Sequence, residues 1–310
     1  MLYGINAIQK RKKVNKPKLY IVGHGAIGLL FARLLRTAFD IKLIVRSKTK
    51  NSAHITVTAL DQSVETFSLE TVTIDQIDSI DNLFIPTKSY QVANVLAQLQ
   101  NKISTGATVI LSHNGMPNLT EINQALTTQN LFFLTTSMAA LKHADFAIAH
   151  TGFGASFIGA LNANTEKTPT IEHLLTAIPN ITIEQNINAL LWQKLIINIA
   201  INPLTAVYQV KNGALIAPQY ASEIIGLINE AVFIANKEGV EISLSSALDS
   251  AYWVMRATSQ NYSSMNRDVF KQQQSEIDSI CGYIHKKGAE YCYSTPFNSR
   301  FLALIQDGTP

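Results

Sequence analysis

The first part of the chain alternates between two hydrophobic periodicities. Short runs rich in β-branched residues predict strands, and longer runs with apolar residues three and four positions apart predict helices between some of them. Strands are predicted at residues 19–22, 41–45, 55–60, 64–69, 82–85, 108–111 and 131–134, and helices at 29–39, 89–99 and 119–126. Such alternation is typical of a mostly parallel sheet covered by helices.

The strand pattern stops near residues 181–184, and helical spacing dominates from residue 186 onward. Helices are predicted at 189–202, 220–238, 244–257, 263–287 and 299–305. The chain is therefore predicted to form an α/β domain at residues 18–185, followed by an all-helical domain at 186–310. A length of 310 residues, 47% hydrophobic and 15% charged, suits a folded soluble protein of about two domains.

Positive charge is concentrated in a basic leader, residues 1–17. The formal net charge is +3, but the body is slightly acidic without Lys10, Arg11, Lys12, Lys13 and Lys16. We therefore expect no nucleic-acid partner. The leader is predicted to be disordered; a partner-binding arm or a start codon placed too early are the alternatives.

Neither a membrane span nor a metal site is expected. The longest uncharged apolar stretch, residues 195–210, is too short for a span and contains Asn and Pro. The basic cluster follows the apolar part of the leader, the reverse of a secretory signal. Cys281 and Cys292 are spaced for neither CxxC redox chemistry nor zinc, and they predict reduced thiols in a cytoplasmic protein.

A glycine-rich loop joins the first predicted strand to the first helix. Gly23, Gly25 and Gly28 form the pattern GxGxxG, with His24, Ala26 and Ile27 between them. These glycines allow a tight turn, close approach of a pyrophosphate, and close helix–strand packing. A strand, a helix and a second strand surround the loop, which favours a Rossmann-type dinucleotide site over a plain glycine turn.

Arg46 follows the second predicted strand, where NAD-binding folds usually carry Asp or Glu for the ribose hydroxyls. A guanidinium there suits a 2′-phosphate, so NADP is the predicted cofactor. The alternative is an ordinary solvated arginine.

Two further polar residues follow predicted strands, where open α/β sheets bind ligands. Lys88 lies in "FIPTKSYQ" and Asn114 in "VILSHNGM". Taken alone, they are better explained as a surface lysine and an Asn-Gly turn.

A polar stripe runs along the otherwise apolar helix "WQKLIINIAINPLTAV". Lys194, Asn198 and Asn202 are four residues apart and share one helix face. A satisfied patch inside a helix bundle is the alternative to a site, but a buried ammonium needs compensation. Because Asn202 precedes Pro203, the helix is expected to end or kink there.

These motifs together resemble the ketopantoate reductase family. The resemblance runs from residue 19 to about residue 298 and rests on "GHGAIG", "PTKSYQ", "SHNGM", "WQKLIINIAINPLTAV", "KNG", "NYSSMNRDV" and "SEIDSICGYI". It implies a Rossmann domain, a helical domain and an active site in the cleft between them. It also implies NADPH-dependent reduction of a 2-oxo acid, the step that gives pantoate for pantothenate and coenzyme A synthesis.

The resemblance also implies roles for individual residues. Lys194 matches the catalytic lysine and Glu276 the active-site glutamate, an acceptor for a substrate hydroxyl; without the resemblance, Glu276 is a solvated glutamate on a helix. The cofactor would contact the glycine loop, Arg46, Lys88 and Asn114. The substrate would contact Lys88, Asn114, Asn198, Asn202, Asn212, Asn261 and Ser264.

The sequence leaves two properties open, the activity and the oligomeric state. The alternatives for the activity are reduction of ketopantoate, reduction of a related 2-oxo acid, and binding of NADP as a catalytically silent sensor. A silent binder has no reason to keep Lys194 together with Glu276, which favours an enzyme. The oligomeric state is either monomer or homodimer.

Overall fold

The computed structural model describes residues 16–47, 50–162 and 168–308. Most of the predicted leader, residues 1–15, lies outside this range. Its last two residues contact the folded domain: the Lys16 Nζ donates to the Arg36 carbonyl at 2.8 Å, and the Pro17 carbonyl accepts from the Asp40 amide at 3.0 Å.

The amino-terminal part is a Rossmann-like domain built on one large sheet. Its strands are β1 (Lys18–Val22), β2 (Asp40–Ile44), β3 (Ser52–Thr58), β4 (Val64–Val72), β5 (Ile80–Ile85), β6 (Ile103–Leu111), β7 (Asn130–Thr136), β8 (Ala139–Ala144), β9 (Ala147–Gly152), β10 (Ser156–Ala160) and β11 (Ile181–Ile183). Its helices are α1 (Ala26–Leu35), α2 (Ser89–Leu99), α3 (Leu119–Ala125) and α4 (Pro169–Ala177).

The centre of the sheet is parallel, in the order β7-β6-β5-β1-β2-β4. The chain order reverses at β1, so the carboxyl ends of β1, β5, β6 and β7 open onto the crevice where doubly wound sheets bind ligands. The strands β8 to β10 were not predicted. The β8–β9 hairpin extends the sheet beyond β3, and β10 pairs antiparallel with β7.

The carboxyl-terminal region is helical. It contains α5 (Ile187–Tyr208), α6 (Ala221–Lys237), α7 (Leu244–Ala257), α8 (Ser264–Phe270), α9 (Ile277–Glu290) and α10 (Pro296–Gln306). The fold class predicted from sequence is confirmed. The predicted boundary near residue 185 falls between the end of β11 and the start of α5, and it stays our interpretation of the domain organisation.

One prediction about these helices was wrong, and another was wrong in part. The continuous helix expected at 263–287 is two helices, because the chain leaves helical geometry after Phe270 and Gln272 adopts a left-handed φ of 54°. In addition, the sequence predicted an end or a kink at Asn202, and the end is wrong, because α5 continues through Pro203. Ile201 and Leu204 are buried on either side of the proline, and this packing outweighs the local preference for a break.

The long helix α5 positions the site. Its first turn is capped by the Asn186 side chain, which accepts from the Ala189 amide at 3.1 Å. Trp192 and Leu195 belong to the same buried cluster as Leu111 of β6 and Phe133 of β7. Consequently α5 packs against the sheet and is fixed relative to the strand ends.

Within the described residues, α5 is also the one helix long and apolar enough to cross a membrane, and 67% of that apolar window is buried inside the protein. This burial is expected of a core helix.

Candidate active site

The glycine loop forms the turn that the sequence predicts. Gly23 has a φ of 77°, and its amide donates to the Ile44 carbonyl at 2.9 Å. A Cβ on Gly23 or Gly25 would enter open space, whereas a Cβ on Gly28 would lie 3.1 Å from the Pro86 Cγ. The third glycine therefore allows close packing, and the first two leave room above the start of α1.

That helix start is open to an anion. Gly25 precedes α1 with extended geometry and no side-chain cap, so the first amides of the helix have no protein acceptor from that residue. Ala26 and Ile27 form the first turn. An open, uncapped helix start behind a glycine turn is the arrangement that holds a pyrophosphate.

His24 contacts the β8–β9 hairpin. Its ring stacks on Phe146 at 4.6 Å between centroids, and its Nε2 lies 3.4 Å from the Asp145 Oδ1. Burial, reinforced by nearby Lys142, lowers the pKa of His24 below its ordinary value of 6.5. The β8–β9 hairpin, which was not predicted from the sequence, thus contacts the glycine loop through His24.

Arg46 is exposed just beyond the end of β2. The Val45 amide donates to the Val72 carbonyl at 2.9 Å, which fixes the backbone immediately before it. The guanidinium is therefore free to approach a group bound beside the glycine loop, as the NADP prediction requires.

Lys88, Asn114 and Glu276 come together across the interface between the sheet and the helical region. Glu276 is only 4% exposed and directly precedes α9. Its Oε2 accepts from the Lys88 Nζ at 3.3 Å and from the Asn114 Nδ2 at 3.0 Å. Its Oε1 accepts from the Ser89 amide at 3.1 Å and the Asn114 amide at 3.2 Å. Glu276 is thus an interface group and not a solvated helical residue.

A second carboxylate shares Lys88. The Asp268 Oδ2 lies 3.0 Å from the Lys88 Nζ, so one ammonium joins two acids of the helical region. Burial lowers the pKa of Lys88, but these two carboxylates outweigh burial and raise it overall. Burial raises the pKa of Asp268, against the opposing effect of Lys88. Asp268 was not singled out from sequence, since nothing around it differs from an ordinary exposed helix.

Lys194 extends from α5 to the carboxyl end of β7. Its Nζ donates to the Thr135 Oγ1 at 3.0 Å and to the Thr136 carbonyl at 3.1 Å. Burial lowers the pKa of this ammonium from 10.5 to about 8, although the charge of Glu276 acts in the opposite direction. Both acceptors are neutral, so the charge is not held in a direct ion pair.

His113 lies near both Lys194 and Glu276 and was not assigned a role from sequence. Its Nδ1 is 2.9 Å from the Asn114 carbonyl, and its ring packs edge-on against Phe133. Burial lowers the pKa of His113, and the charge of Lys194 adds to this effect. Burial therefore favours the neutral imidazole.

The remaining predicted lining residues lie in two environments. On α5, the Asn198 Nδ2 is buried with no hydrogen-bond partner among the described residues, and Asn202 is only 7% exposed. Asn212 instead contacts the segment between α7 and α8. Its amide donates to the Asn261 carbonyl at 3.0 Å, and its Nδ2 donates to the Thr258 Oγ1 at 2.9 Å. The buried Asn212 Oδ1 has no partner among the described residues either.

Asn261 and Ser264 are exposed at the start of α8. Neighbouring Ser263 instead stabilises the fold: its Oγ accepts from the Asn266 amide at 3.0 Å and is 2.7 Å from the Thr205 Oγ1 of α5. These bonds fix the start of α8 against α5 and leave the Ser264 hydroxyl available.

A cavity of about 380 Å³ lies between α2, the segment around α3, and α9. Glu276 and His113 line it, together with Tyr90, Met116 and Tyr283. Lys194 does not line it, so this cavity is not the crevice predicted to hold the substrate.

Comparison with known families accounts for both parts of the chain. The family model "Ketopantoate reductase PanE/ApbA" matches residues 19–163, and "Ketopantoate reductase PanE/ApbA C terminal" matches residues 186–308. This chain belongs to the ketopantoate reductase family. A 2-dehydropantoate 2-reductase of Vibrio cholerae is 33% identical over 290 residues, which cover 93% of this chain and 96% of the relative.

Solved structures agree with this family assignment. A probable 2-dehydropantoate 2-reductase from Bacillus subtilis superposes with a TM-score of 0.78 at 26% identity, over 94% of this chain and 99% of that one. A D-mandelate dehydrogenase, solved with NADH and anilino(oxo)acetate, has a TM-score of 0.86 at 21% identity, over 94% and 97% of the two chains, and shows the shared fold. As a member of the ketopantoate reductase family, the chain is a dinucleotide-dependent oxidoreductase acting on a small molecule.

Proposed function

We propose that this enzyme reduces ketopantoate to pantoate with NADPH, and that Lys194 is the general acid. The observation that carries the proposal is the position of the Lys194 amine at the carboxyl end of β7, bonded to two neutral oxygens. Its pKa of about 8 suits a group that donates a proton near neutral pH. In this role the chain would supply pantoate for pantothenate and coenzyme A synthesis.

The residues around the glycine loop fit an NADP molecule. The open space at Gly23 and Gly25 and the uncapped start of α1 suit the pyrophosphate. Arg46 would pair with the 2′-phosphate, and Lys88 and Asn114, which follow strand ends, would lie near the nicotinamide. When bound, the nicotinamide supplies the hydride.

The carbonyl oxygen of a ketone gains negative charge when the ketone is reduced. Lys194 would stabilise this charge with its ammonium and then donate a proton to the oxygen. Two buried amide atoms that have no partner among the described residues, Asn198 Nδ2 and Asn212 Oδ1, would gain hydrogen bonds from a polar substrate. Asn202, Asn261 and Ser264 would complete the polar lining, with neutral donors for the substrate carboxylate.

Glu276 would accept a hydrogen bond from the substrate hydroxyl. In the described structure its oxygens are occupied by Lys88, Ser89 and Asn114, so this role requires one of these bonds to be exchanged. The Lys88 bond is the longest of the four, at 3.3 Å, and Lys88 keeps Asp268 as a partner. It is therefore the bond we expect to be exchanged.

The enzyme is expected to be soluble, since its apolar helix α5 is largely buried in the protein. It is expected to be cytoplasmic, since Cys281 and Cys292 are both free thiols.

The proposal is tested by following NADPH absorbance with a panel of 2-oxo acids. The panel contains ketopantoate, an unbranched 2-oxo acid, an aromatic 2-oxo acid and a simple ketone without a carboxylate. We expect the highest kcat/KM with ketopantoate and none with the simple ketone. A preference for another 2-oxo acid would support the proposed reaction but contradict ketopantoate as the substrate. No NADPH consumption with any compound of the panel would contradict the proposed activity.

A further inference from the structure

The Lys194 ammonium is held by the last two residues of β7. Its hydrogen-bond acceptors among the described residues are one side-chain oxygen, the Thr135 Oγ1 at 3.0 Å, and one backbone oxygen, the Thr136 carbonyl at 3.1 Å. The two partners are separated from Lys194 by 59 and 58 positions in sequence. The contact thus joins the helical region to the sheet at the centre of the predicted chemistry.

These two threonines are themselves fixed. Thr135 is only 5% exposed, and its backbone pairs with Phe157 of the antiparallel strand β10. The Thr136 Oγ1 accepts from the Ser156 Oγ at 2.9 Å and from the Met138 amide at 3.0 Å. With the Thr136 hydroxyl occupied in this way, Thr135 supplies the side chain that contacts the amine.

We propose that Thr135 is a positioning residue for reduction: its hydroxyl holds the Lys194 ammonium at the carboxyl end of β7, where the proton must be delivered. This inference rests on the proposed function, because it assigns Thr135 a role through Lys194. The hydroxyl accepts one ammonium hydrogen. The ammonium keeps its third hydrogen for a substrate oxygen after the Thr136 carbonyl accepts the second.

The charges around Lys194 make this neutral contact important. Glu276 favours the charged amine, whereas burial favours the neutral form of His113. Lys88 pairs with both Asp268 and Glu276, so these two carboxylates offset its charge. Thr135 is uncharged, so its removal changes the solvation of the ammonium and leaves the charges of the site unaltered. Loss of an acceptor favours the neutral amine and lowers its pKa.

The test compares Thr135→Val, which has the same shape without the hydroxyl, with Thr135→Ser, which keeps it. Thr108→Val is the matched control, because Thr108 is a buried threonine whose register partner, Asn130, is at the opposite end of β7. For each variant, kcat and kcat/KM for ketopantoate are measured from pH 6 to 10, with NADPH affinity and Tm alongside.

In Thr135→Val we expect kcat to fall about tenfold and the alkaline limb of kcat/KM to move about one unit to lower pH, the effect of one hydrogen bond to a charged group. NADPH affinity should stay within about twofold. Thr135→Ser should restore most of the rate and the position of the limb, and Thr108→Val should resemble the wild type. If Thr135→Val does not fold, Thr135→Ala removes the same hydroxyl and must show the same shift.

An unshifted alkaline limb in the hydroxyl-free variant would overturn the inference, as would a serine variant as impaired as the valine variant. A lower Tm with normal kinetics would assign Thr135 to the fold alone and would also overturn it. Failure of the proposed function is distinguishable: Lys194→Ala would then retain full turnover, whatever the behaviour of Thr135.

Discussion

Glu276 and Lys88 form an ion pair across the interface between the helical region and the sheet, with 3.3 Å between Oε2 and Nζ. The sequence analysis assigned both residues to ligand contacts, and the structure places them against each other. Asn114 completes this junction by donating twice to the same carboxylate. The groups expected to bind ligand therefore also hold the two parts of the enzyme together.

This double role predicts that Glu276→Gln loses both stability and activity. An amide replaces one acceptor oxygen with a donor, so at least one buried partner loses its hydrogen bond, at a cost of about 1–3 kcal/mol in the free energy of unfolding. Urea denaturation measures the loss. Glu70→Gln is the control, because Glu70 pairs with Lys42 on the surface and its loss is expected to cost less than about 1 kcal/mol. Equal losses would show that the interface bonds of Glu276 contribute no more than a surface pair.

Lys194→Ala tests the general acid directly. Removing the ammonium should reduce turnover by at least about 10², since acid catalysis of this kind contributes about 10² to 10⁴. NADPH binding, measured by the change in its fluorescence, should be retained. Lys237→Ala, an exposed lysine of α6, is the control for loss of a positive charge. Unchanged turnover in Lys194→Ala would remove this lysine from the mechanism.

The pH dependence follows from the lowered pKa of Lys194. With a pKa of about 8, the ammonium is present below pH 8 and is lost as the pH rises through this value. In the direction of ketone reduction, kcat/KM should therefore be constant toward neutral pH and fall at alkaline pH, with the midpoint near 8. The profile is measured at saturating NADPH. A constant kcat/KM up to pH 10 would contradict a titrating Lys194, and the limb should be absent from the residual activity of Lys194→Ala.

Much of the fold could be predicted from the sequence, because apolar runs mark buried strands regardless of their partners. The helix α2 was predicted with its observed ends, and the glycine turn has the expected geometry at Gly23. Lys194 stood out because a lysine on an apolar helix needs compensation. Local chemistry alone indicates each of these features.

Other features depend on contacts between residues distant in sequence. The strand β8, "AALKHA", has no buried residue, so it lacks the apolar alternation that marks a buried strand. Glu276 was predicted to lie inside a helix, because the intervening "KQQQS" contains neither glycine nor proline to mark the break. Asp268 and Thr135 acquire their roles through Lys88 and Lys194, far away in the chain.

Arg46→Ala tests the cofactor prediction. If the guanidinium contacts a 2′-phosphate, its loss should weaken NADPH binding by about tenfold or more and leave NADH nearly unchanged, since NADH lacks that phosphate. Dissociation constants for both cofactors are measured by fluorescence titration. Arg256→Ala, an exposed arginine in the last turn of α7, controls for the loss of one positive charge. A similar loss for NADH and NADPH would argue against the 2′-phosphate contact.

The close approach of Gly115 to Ser279 predicts a difference between two glycine substitutions. Gly115 and Gly106 have φ values of 75° and 73°, so alanine is strained at both by about 1–2 kcal/mol. At Gly106 a Cβ would meet nothing within 4 Å, whereas at Gly115 it would collide with the Ser279 carbonyl group, whose carbon lies 2.7 Å away. The neighbouring Met116 amide donates to that same carbonyl at 3.0 Å, so neither segment can move without losing the bond.

Gly115→Ala should therefore lose at least about 2 kcal/mol more in the free energy of unfolding than Gly106→Ala, as measured by urea denaturation. It should also reduce turnover, because displacement of Ser279 shifts the start of α9 and with it Glu276. Equal losses of unfolding free energy in the two variants would mean that Ser279 can move away from a Cβ at Gly115 without loss of stability. The start of α9, and with it Glu276, would then not be held rigidly.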